Sequence, residues 1–422
     1  MTERRGSATP PDSVTPSTAV PPFWTPRLAT FLGLLFAEGV AAAPARALLA
    51  AYVEGVLQQP PRLTSVVLAV QMACNGIFAL AGGAVADLAG RRTAVLIGLT
   101  VGVTSGLLIA TRSPWLLIGL AVLSGIAMGF HSTGGQSYLL AISSTARLGM
   151  AAAVFFLTKT ASQAGGALIA GYAADRLGFQ SVGLVAALLG LVVLVAAVLW
   201  LPAAPAAPST ASTPATKRLW VDTGYGRLLR RPGVLALGAV RFLPTTAWGA
   251  ASLAFPLLIY RLSQSATTVG LFGTVSLLAA SAAQLATGRA IDRVGPRVLV
   301  LPLAVSVLAC SLLAVALGHS IAGLFISGTL WTMTAWGLSI TMPPLIHQLG
   351  RGRDDGRLVA ITHALWSAGM LSGTLAGGEL IERAALAPFA FAAGCLVLTC
   401  LTAFWFTRVT SGPRQPVGEE PV

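Results

Sequence analysis

The stretch Gly83-Ala-Val-Ala-Asp87-Leu-Ala-Gly90-Arg91-Arg92 lies where one long apolar run ends and the next begins. Its pattern, G-x-x-x-D-x-x-G-R-R, returns half a chain later as Gly288-Arg-Ala-Ile-Asp292-Arg-Val-Gly295-Pro-Arg297. Two fainter copies are Gly171-Tyr-Ala-Ala-Asp175-Arg-Leu-Gly178 and Gly378-Glu-Leu-Ile-Glu382-Arg383. All four copies mark turns between apolar segments, so the chain is built on an internal repeat.

The composition indicates that lipid is the solvent for much of this chain. Of its 422 residues, 55% are hydrophobic and only 10% are charged, against about 25% charged in soluble domains. The net charge of +13 sits in short loops, where anionic headgroups attract it. No basic stripe interleaved with aromatic residues is present, so nucleic-acid binding is not expected. Neither a metal nor another cofactor is expected, because the four Cys lie inside apolar runs without metal-ligand spacing.

Twelve apolar segments are long enough to span a membrane, which takes about 20 residues each. The first six cover roughly residues 28–53, 63–86, 93–111, 115–140, 148–173 and 180–201. The second six cover roughly residues 234–259, 266–287, 297–317, 321–346, 358–380 and 386–407. The first run is too long for a cleaved signal peptide, so we expect it to be retained as a spanning helix.

A stretch rich in Pro, Ala, Ser and Thr, followed by a basic segment, separates the two sets of six. This pattern predicts a flexible linker at the boundary between two bundles. The expected organisation is a disordered tail (1–26), a six-helix bundle (27–201), a linker (202–232), a second six-helix bundle (233–408) and a short tail (409–422).

The distribution of Lys and Arg predicts the orientation in the membrane. Most of these residues fall in the tails, the linker and every second loop, and cytoplasmic loops carry such an excess. Both termini are therefore expected in the cytoplasm. The excess of Arg over Lys favours a high-GC bacterium, and hence a multi-pass protein of the cytoplasmic (inner) membrane.

The repeat also predicts symmetry. Its two strong copies fall after segments 2 and 8 on the cytoplasmic face, and its two faint copies fall after segments 5 and 11 on the opposite face. This arrangement fits two similar halves about an axis along the membrane normal, each half an inverted three-helix repeat. Such folds place the solute site near mid-membrane between the halves.

Twelve segments, a long basic middle loop and the motif after segments 2 and 8 together resemble the major facilitator superfamily, over about residues 27–408. The resemblance implies an all-α membrane protein of twelve transmembrane helices in two pseudo-symmetric six-helix bundles. It also implies secondary active transport by alternating access, and a monomer is expected. An enzyme is not expected, since no nucleophile–base set, metal box or phosphate-binding loop is found.

The resemblance implies a gating role for the motif. Asp87 would latch segment 2 to the start of segment 11, near Gly356 and Arg357, while the cytoplasmic gate is shut. Asp292 would do the mirrored job near Arg147, at the start of segment 5. The alternative is that these are ordinary positive-inside loop charges.

The other motif residues have local roles. The glycines Gly83, Gly90, Gly288 and Gly295 are expected to permit close helix approach and tight turns. The basic residues Arg91, Arg92 and Arg297 are expected to pair with the motif carboxylates or with lipid phosphate.

Four charged residues fall within the apolar segments, where a charge is costly and usually marks a pathway. They are Glu38, Arg46, Lys159 and Arg241. Glu38 is the candidate for proton coupling, because a carboxylate in a low-dielectric cavity can titrate near neutral pH. The alternatives are a structural ion pair of Glu38 with one of the three bases, or a position nearer the interface than the segment boundaries suggest.

Several polar and aromatic residues lie at the depth expected for a central cavity. The candidates for lining a solute site are His131, Gln136, Gln163, Trp248, Trp336, His363 and Trp366. The alternative for each is a hydrogen bond or packing contact between helices. The tryptophans of the second half suggest an aromatic wall for an organic solute.

The signatures of drug–proton antiporters are degraded. Ala121 stands where those transporters carry an Arg in segment 4, and segment 5 has Ala167 in place of the signature Pro.

We expect a small organic solute as partner, with protons and lipid, and proton-coupled efflux as the leading hypothesis. An organic-anion or metabolite symporter or uniporter is the runner-up, from the excess of intramembrane bases. A non-transporting membrane sensor is a remote alternative, because the short C-terminal tail has no room for a signalling module.

Overall fold

The computed structural model describes residues 24–143, 148–204, 228–350 and 355–410, and its regular structure there is entirely helical. The helices are α1 (Pro26–Gly55), α2 (Pro61–Leu88), α3 (Arg91–Leu108), α4 (Pro114–Ile142), α5 (Leu148–Leu177), α6 (Phe179–Trp200), α7 (Pro232–Ser263), α8 (Ala266–Val294), α9 (Pro296–Leu317), α10 (Ile321–Ile340), α11 (Met342–Gly350), α12 (Asp355–Arg383) and α13 (Ala387–Thr410). Only Thr341 separates α10 from α11, so these two helices follow each other within the tenth predicted segment.

Nine spans in the described part of the chain are long and apolar enough to cross a membrane, one of them running from Ile321 to Gly350 through α10 and α11. The other three predicted segments are α3, α5 and α12. The predicted fold class, twelve helices arranged in two halves, is confirmed. The proposed tails and most of the linker lie outside the described residues, and the exact domain limits stay a prediction.

The two halves repeat the same helix packing. In the first half α1 packs on α5 and α6, α2 on α4, and α3 on α4 and α6. In the second half α7 packs on α12 and α13, α8 on α10, and α9 on α10 and α13. The correspondence pairs α1 with α7, α5 with α12 and α6 with α13, which is the pseudo-symmetry predicted from the repeated turn.

The second glycine of the motif makes its turn. Gly90, Gly178 and Gly295 have φ of 93°, 82° and 85°, in a region that side-chain-bearing residues avoid. Each ends one helix and begins the next within a residue or two, which keeps the connections tight. The fourth copy of the motif lacks this glycine, and α12 ends there at Arg383 instead.

The molecule has two ends, defined here by the connections. At the linker end α6 ends at Trp200 and α7 begins at Pro232, and Arg92 donates to the carbonyl of Val198 at 2.5 Å. At the far end α1, α5 and α7 finish, and the Tyr52 hydroxyl donates to the carbonyl of Thr111 at 2.6 Å. The two ends differ in how the halves meet, and this difference determines where the candidate site opens.

Candidate functional site between the two halves

A cavity of about 370 Å³ lies between the halves, from mid-depth toward the linker end. It is mostly built by the second half, through α7, α9, α10, α11 and α12, and the first half contributes from α4 and α5. The described polar and aromatic side chains that line it are Gln136, Phe156, Arg241, Thr245, Trp248, Trp336, Ser339, His363 and Trp366. Five of the residues predicted to line a solute site therefore come together in one cavity.

Arg241 is the cation of this cavity. It lies on α7, less than one turn before Pro244, and its Nη1 donates to the Ser339 hydroxyl on α10 at 3.1 Å. The lining residues include no Asp or Glu, and within the described residues no carboxylate forms an ion pair with Arg241. The guanidinium therefore offers unpaired positive charge between the two halves.

Tryptophans form one wall of the cavity. Trp248 stacks on Trp331 with ring centroids 5.0 Å apart, and Trp336 meets Trp248 edge-on at 5.9 Å and 84°. Trp331 is 2% exposed, and its indole N–H donates to Ser311 at 2.7 Å, which fixes the ring behind the wall. On α12, the His363 ring stacks on Trp366 with ring centroids 5.7 Å apart.

Glu38 lies elsewhere, inside the first half. Its side chain is 2% exposed, and its Oε2 is 3.6 Å from Nε2 of His131 on α4. Glu38 Oε1 and His131 Nε2 have no hydrogen-bond partner among the described residues. The cavity lining includes neither residue, and His131 instead borders a much smaller void with Phe31, Leu35, Val95, Leu99 and Gly135.

The bases expected near Glu38 are arranged differently. Arg46 is exposed, and Lys159 places its Nζ 5.6 Å from the ring centroid of Phe155. Neither these two nor Arg241 is within 4.0 Å of a Glu38 oxygen, so among the described residues the partner at ion-pair distance is His131. Sequence reasoning missed this pair, since it listed His131 only as a solute-lining candidate. Lys159, Arg46 and Gln163 are not among the cavity-lining residues.

Only some of the residues predicted to form the linker-end gate lie in the described part of the structure. The side chains of Asp87 and Arg357, and all of Arg147, lie outside the described part, so the predicted latches there stay predictions. Asp292 is exposed. A methyl group added at Gly83 or Gly288 would meet nothing within 4 Å, so the expected close helix approach is absent at these glycines in this conformation.

At the far end, Asp175 of a faint motif copy binds the other half. It lies near the end of α5, and its carboxylate accepts hydrogen bonds from the backbone N–H groups of Ala266 (2.8 Å) and Thr267 (2.9 Å). The Ser265 hydroxyl donates to the same carboxylate at 2.7 Å. The first turn of α8 thus presents its unpaired N–H groups and positive dipole end to an acid.

The last faint copy repeats this contact in the mirrored position. Glu382, near the end of α12, accepts a hydrogen bond from the backbone N–H of Arg62 at the start of α2, at 3.0 Å. A third link is the bidentate pair of Arg261 with Glu54, both N–O distances being 2.6 Å. The far end is therefore closed between the halves by three acids, of which Asp175 and Glu382 belong to the faint motif copies and Glu54 was not singled out from the sequence.

The glycines of the faint copies explain how closely the far end packs. A methyl group at Gly171 would collide with the backbone of Ala266 and Thr267, and one at Gly378 would collide with the Ser65 side chain. The close packing continues inward, where the Thr274 hydroxyl of α8 donates to the carbonyl of Ala164 of α5 at 2.5 Å. At the linker end no extensive packing joins α4 to α10 or α12 in the described residues.

Two similar helical bundles, sealed together at one end and separated by a polar–aromatic cavity toward the other, define a membrane transporter. The sequence matches the family model of the Major Facilitator Superfamily over residues 30–263 and 237–422. The chain belongs to this superfamily, as its repeated motif indicated, and it is a transporter, not an enzyme.

Solved structures share this fold at low sequence identity. A POT family transporter in complex with 5-aminolevulinic acid is 15% identical with a TM-score of 0.73, covering 91% of this chain and 96% of that one. The nucleoside transporter NupG is 14% identical with a TM-score of 0.72, covering 91% and 99%. The human organic anion transporter MFSD10 is 16% identical with a TM-score of 0.61, covering 90% and 100%. A search of curated proteins finds no match.

Proposed function

We propose that this protein is a secondary active transporter that moves a small organic solute across the bacterial cytoplasmic membrane by alternating access. The observation that carries this proposal is the cavity between the halves, which continues toward the linker end while acid–helix contacts close the far end. The positive-inside distribution of Lys and Arg supports a cytoplasmic linker end and cytoplasmic termini. The cavity then faces the cytoplasm in this conformation, and the protein works as a monomer.

Proton-coupled export is the proposed mode of transport. Glu38 supports it, because a buried carboxyl group beside His131 has no hydrogen bond from the described residues to hold it ionised. A charge at such a site is costly, so a proton on Glu38 is expected to accompany one half of the transport cycle. Proton movement into the cell would then drive the solute out.

The test is transport in proteoliposomes with and without an imposed pH gradient, over a panel of cationic, neutral and anionic solutes. Wild-type flux is expected to respond to the gradient. Glu38→Gln should still carry solute, but its flux should lose the response, because glutamine cannot exchange a proton. Glu38→Asp is the matched control and should retain a response. A Glu38→Gln protein with the wild-type gradient response would refute the coupling role, and a wild type that moves no solute would favour a sensor.

Organic-anion transport, whether by symport or uniport, is the second candidate function. It is favoured by one specific observation, the Arg241 guanidinium in a cavity whose described lining residues include no acid. MFSD10, one of the structural neighbours, is an organic anion transporter. That likeness is one of fold, so the argument for an anion rests on the cavity itself.

A further inference from the structure

We propose that the solute carried in this cavity is a flat organic monoanion with an aromatic ring, typically a carboxylate, and that Arg241 binds its charged group. The inference rests on the proposed transport function and names its class of substrate. It makes Arg241 the residue that selects for charge and the tryptophans the residues that select for shape. Three observations on the cavity support it.

The first observation is the charge balance. A guanidinium carries five N–H donors, and the one hydrogen bond found for Arg241 in the described structure goes to a neutral hydroxyl, that of Ser339. The described residues that line the cavity include no acid. Arg241 is half-buried; a cation partly withdrawn from water without a counter-charge is costly, and a carboxylate that accepts two parallel N–H bonds is its best match in geometry and charge. An anion therefore gains most at this site, and a cation is repelled.

The second observation is the shape of the wall. Trp248 is backed by Trp331, and Trp331 is in turn anchored by Ser311, so the indole surface is held before any solute arrives. Trp336 stands nearly perpendicular to Trp248. Such a corner accepts a flat ring by stacking on one face and an edge contact on the other. A volume of about 370 Å³ is near the lower end for small-molecule sites, ~300–1,000 Å³, which favours a solute of one or two rings.

The third observation is the set of polar groups away from Arg241. His363 Nε2 has no hydrogen-bond partner in the described structure although it is shielded from solvent, and its ring is held parallel to Trp366. Gln136 lines the cavity from α4, in the other half. A solute that reaches from Arg241 to Gln136 touches both halves, so its binding favours their approach. This links recognition of the anion to closure of the linker end.

The experiment measures binding to the purified full-length protein by isothermal titration calorimetry. The probes are 2-naphthoate, the neutral 2-naphthamide and the cationic 2-naphthylmethylammonium, which share one ring system and differ in charge. We expect 2-naphthoate to bind about ten-fold more tightly than either analogue, the range of a charge-assisted pair. Arg241→Gln should abolish this preference, Arg241→Lys should keep part of it, and Trp336→Leu should weaken all three probes alike.

The controls separate a lost site from a lost fold. Arg408→Gln removes an Arg that packs over Phe404 at the end of α13, and it should leave the binding order unchanged. Ser339→Ala removes only the neutral partner of Arg241 and should weaken 2-naphthoate by a few-fold, which keeps the test decisive if Arg241→Gln does not yield monodisperse protein. Equal or tighter binding of the amide or the ammonium, or an unchanged preference in Arg241→Gln, would overturn the proposal.

The binding test and the transport test can refute their two hypotheses independently of each other. Preferential naphthoate binding without flux of any solute in proteoliposomes would refute transport and leave the ligand class standing. Flux of neutral or cationic solutes that does not depend on Arg241 would refute the ligand class and leave transport standing.

Discussion

Gly90 shows how a single residue supports the repeated turn. Its φ of 93° and ψ of 147° lie in a region essentially restricted to glycine. The residue lets α2 end and α3 begin within two positions, and Gly178 and Gly295 do the same at their turns. The glycine of the motif is therefore required by backbone geometry, while the acids of the two faint copies make contacts between the halves.

Gly90→Ala is expected to destabilise the protein by about 1–3 kcal/mol, the usual cost of holding a side-chain-bearing residue in a sparsely populated backbone region. Gly83→Ala is the matched control, because its new methyl group would meet open space within a helix, where Ala is favoured over Gly. Thermal unfolding in detergent followed by circular dichroism measures both. Equal melting temperatures for Gly90→Ala and wild type would show that the turn does not need the glycine.

At the scale of helices, the ends of α5 and α12 act as clasps on the starts of α8 and α2. Each clasp is an acid that accepts hydrogen bonds from backbone N–H groups in the first turn of a helix in the other half. The strong motif copies place Asp87 and Asp292 at the ends of α2 and α8, at the linker end. By symmetry, these two acids are expected to clasp the starts of α12 and α5 in the opposite conformation.

Asp175→Asn and Asp292→Asn are therefore expected to shift the conformational balance in opposite directions. Loss of the Asp175 charge should favour far-end opening by about 1–2 kcal/mol, the range for a partly buried charge at a helix end, or roughly ten-fold in the populations. Asp292→Asn should favour the conformation described here. Spin labels at the exposed far-end residues Gln58 and Gln264 report the distance by pulsed electron resonance. A shift of both variants in the same direction would contradict the clasp account.

At the scale of the whole molecule, the closed far end and the cavity toward the linker end are two results of one symmetry. Of the four turns that repeat along the sequence, the two faint copies meet the other half at the far end, and we expect the two strong copies to meet it at the linker end in the opposite conformation. In this conformation the faint copies are in contact across the halves, whereas Gly83 and Gly288 of the strong copies have open space around them. A rigid-body rocking of one half on the other would exchange the two sets of contacts around a fixed cavity.

Much of this fold is predictable from the sequence, because each span must be long enough to cross the bilayer. Consecutive spans must also be joined by a turn outside it. Most helices match the predicted segments to within a few residues, but α8 continues to Val294, well beyond the predicted end at residue 287, and the tenth segment is divided into α10 and α11. The aromatic wall was also predictable, since four tryptophans of the second half, Trp248, Trp331, Trp336 and Trp366, fall inside the apolar segments. Contacts between side chains on different helices were not predictable. Glu38 and His131 meet only because α1 and α4 both pack against α3, and no local pattern encodes that contact.

The importance of the faint motif copies was also underestimated, for a physical reason. The strong copies stand out by their arginines, which loop position and membrane orientation favour. The contact across the halves needs only an acid and a helix N-terminus, and both faint copies retain the acid. Judging the copies by their full pattern therefore ranked the far-end contacts below the linker-end ones.

The most direct test of the account is to measure both ends of the molecule at once in lipid nanodiscs, with and without 2-naphthoate and with the pH varied. One label pair, at Gln58 and Gln264, reports the far end, and a second, at Ala89 and Val294, reports the linker end; all four positions are exposed. The account predicts opposite changes, with the linker-end distance shortening in the same conditions that lengthen the far-end distance. Distances that stay fixed in every condition, or that lengthen together at both ends, would contradict alternating access around this cavity.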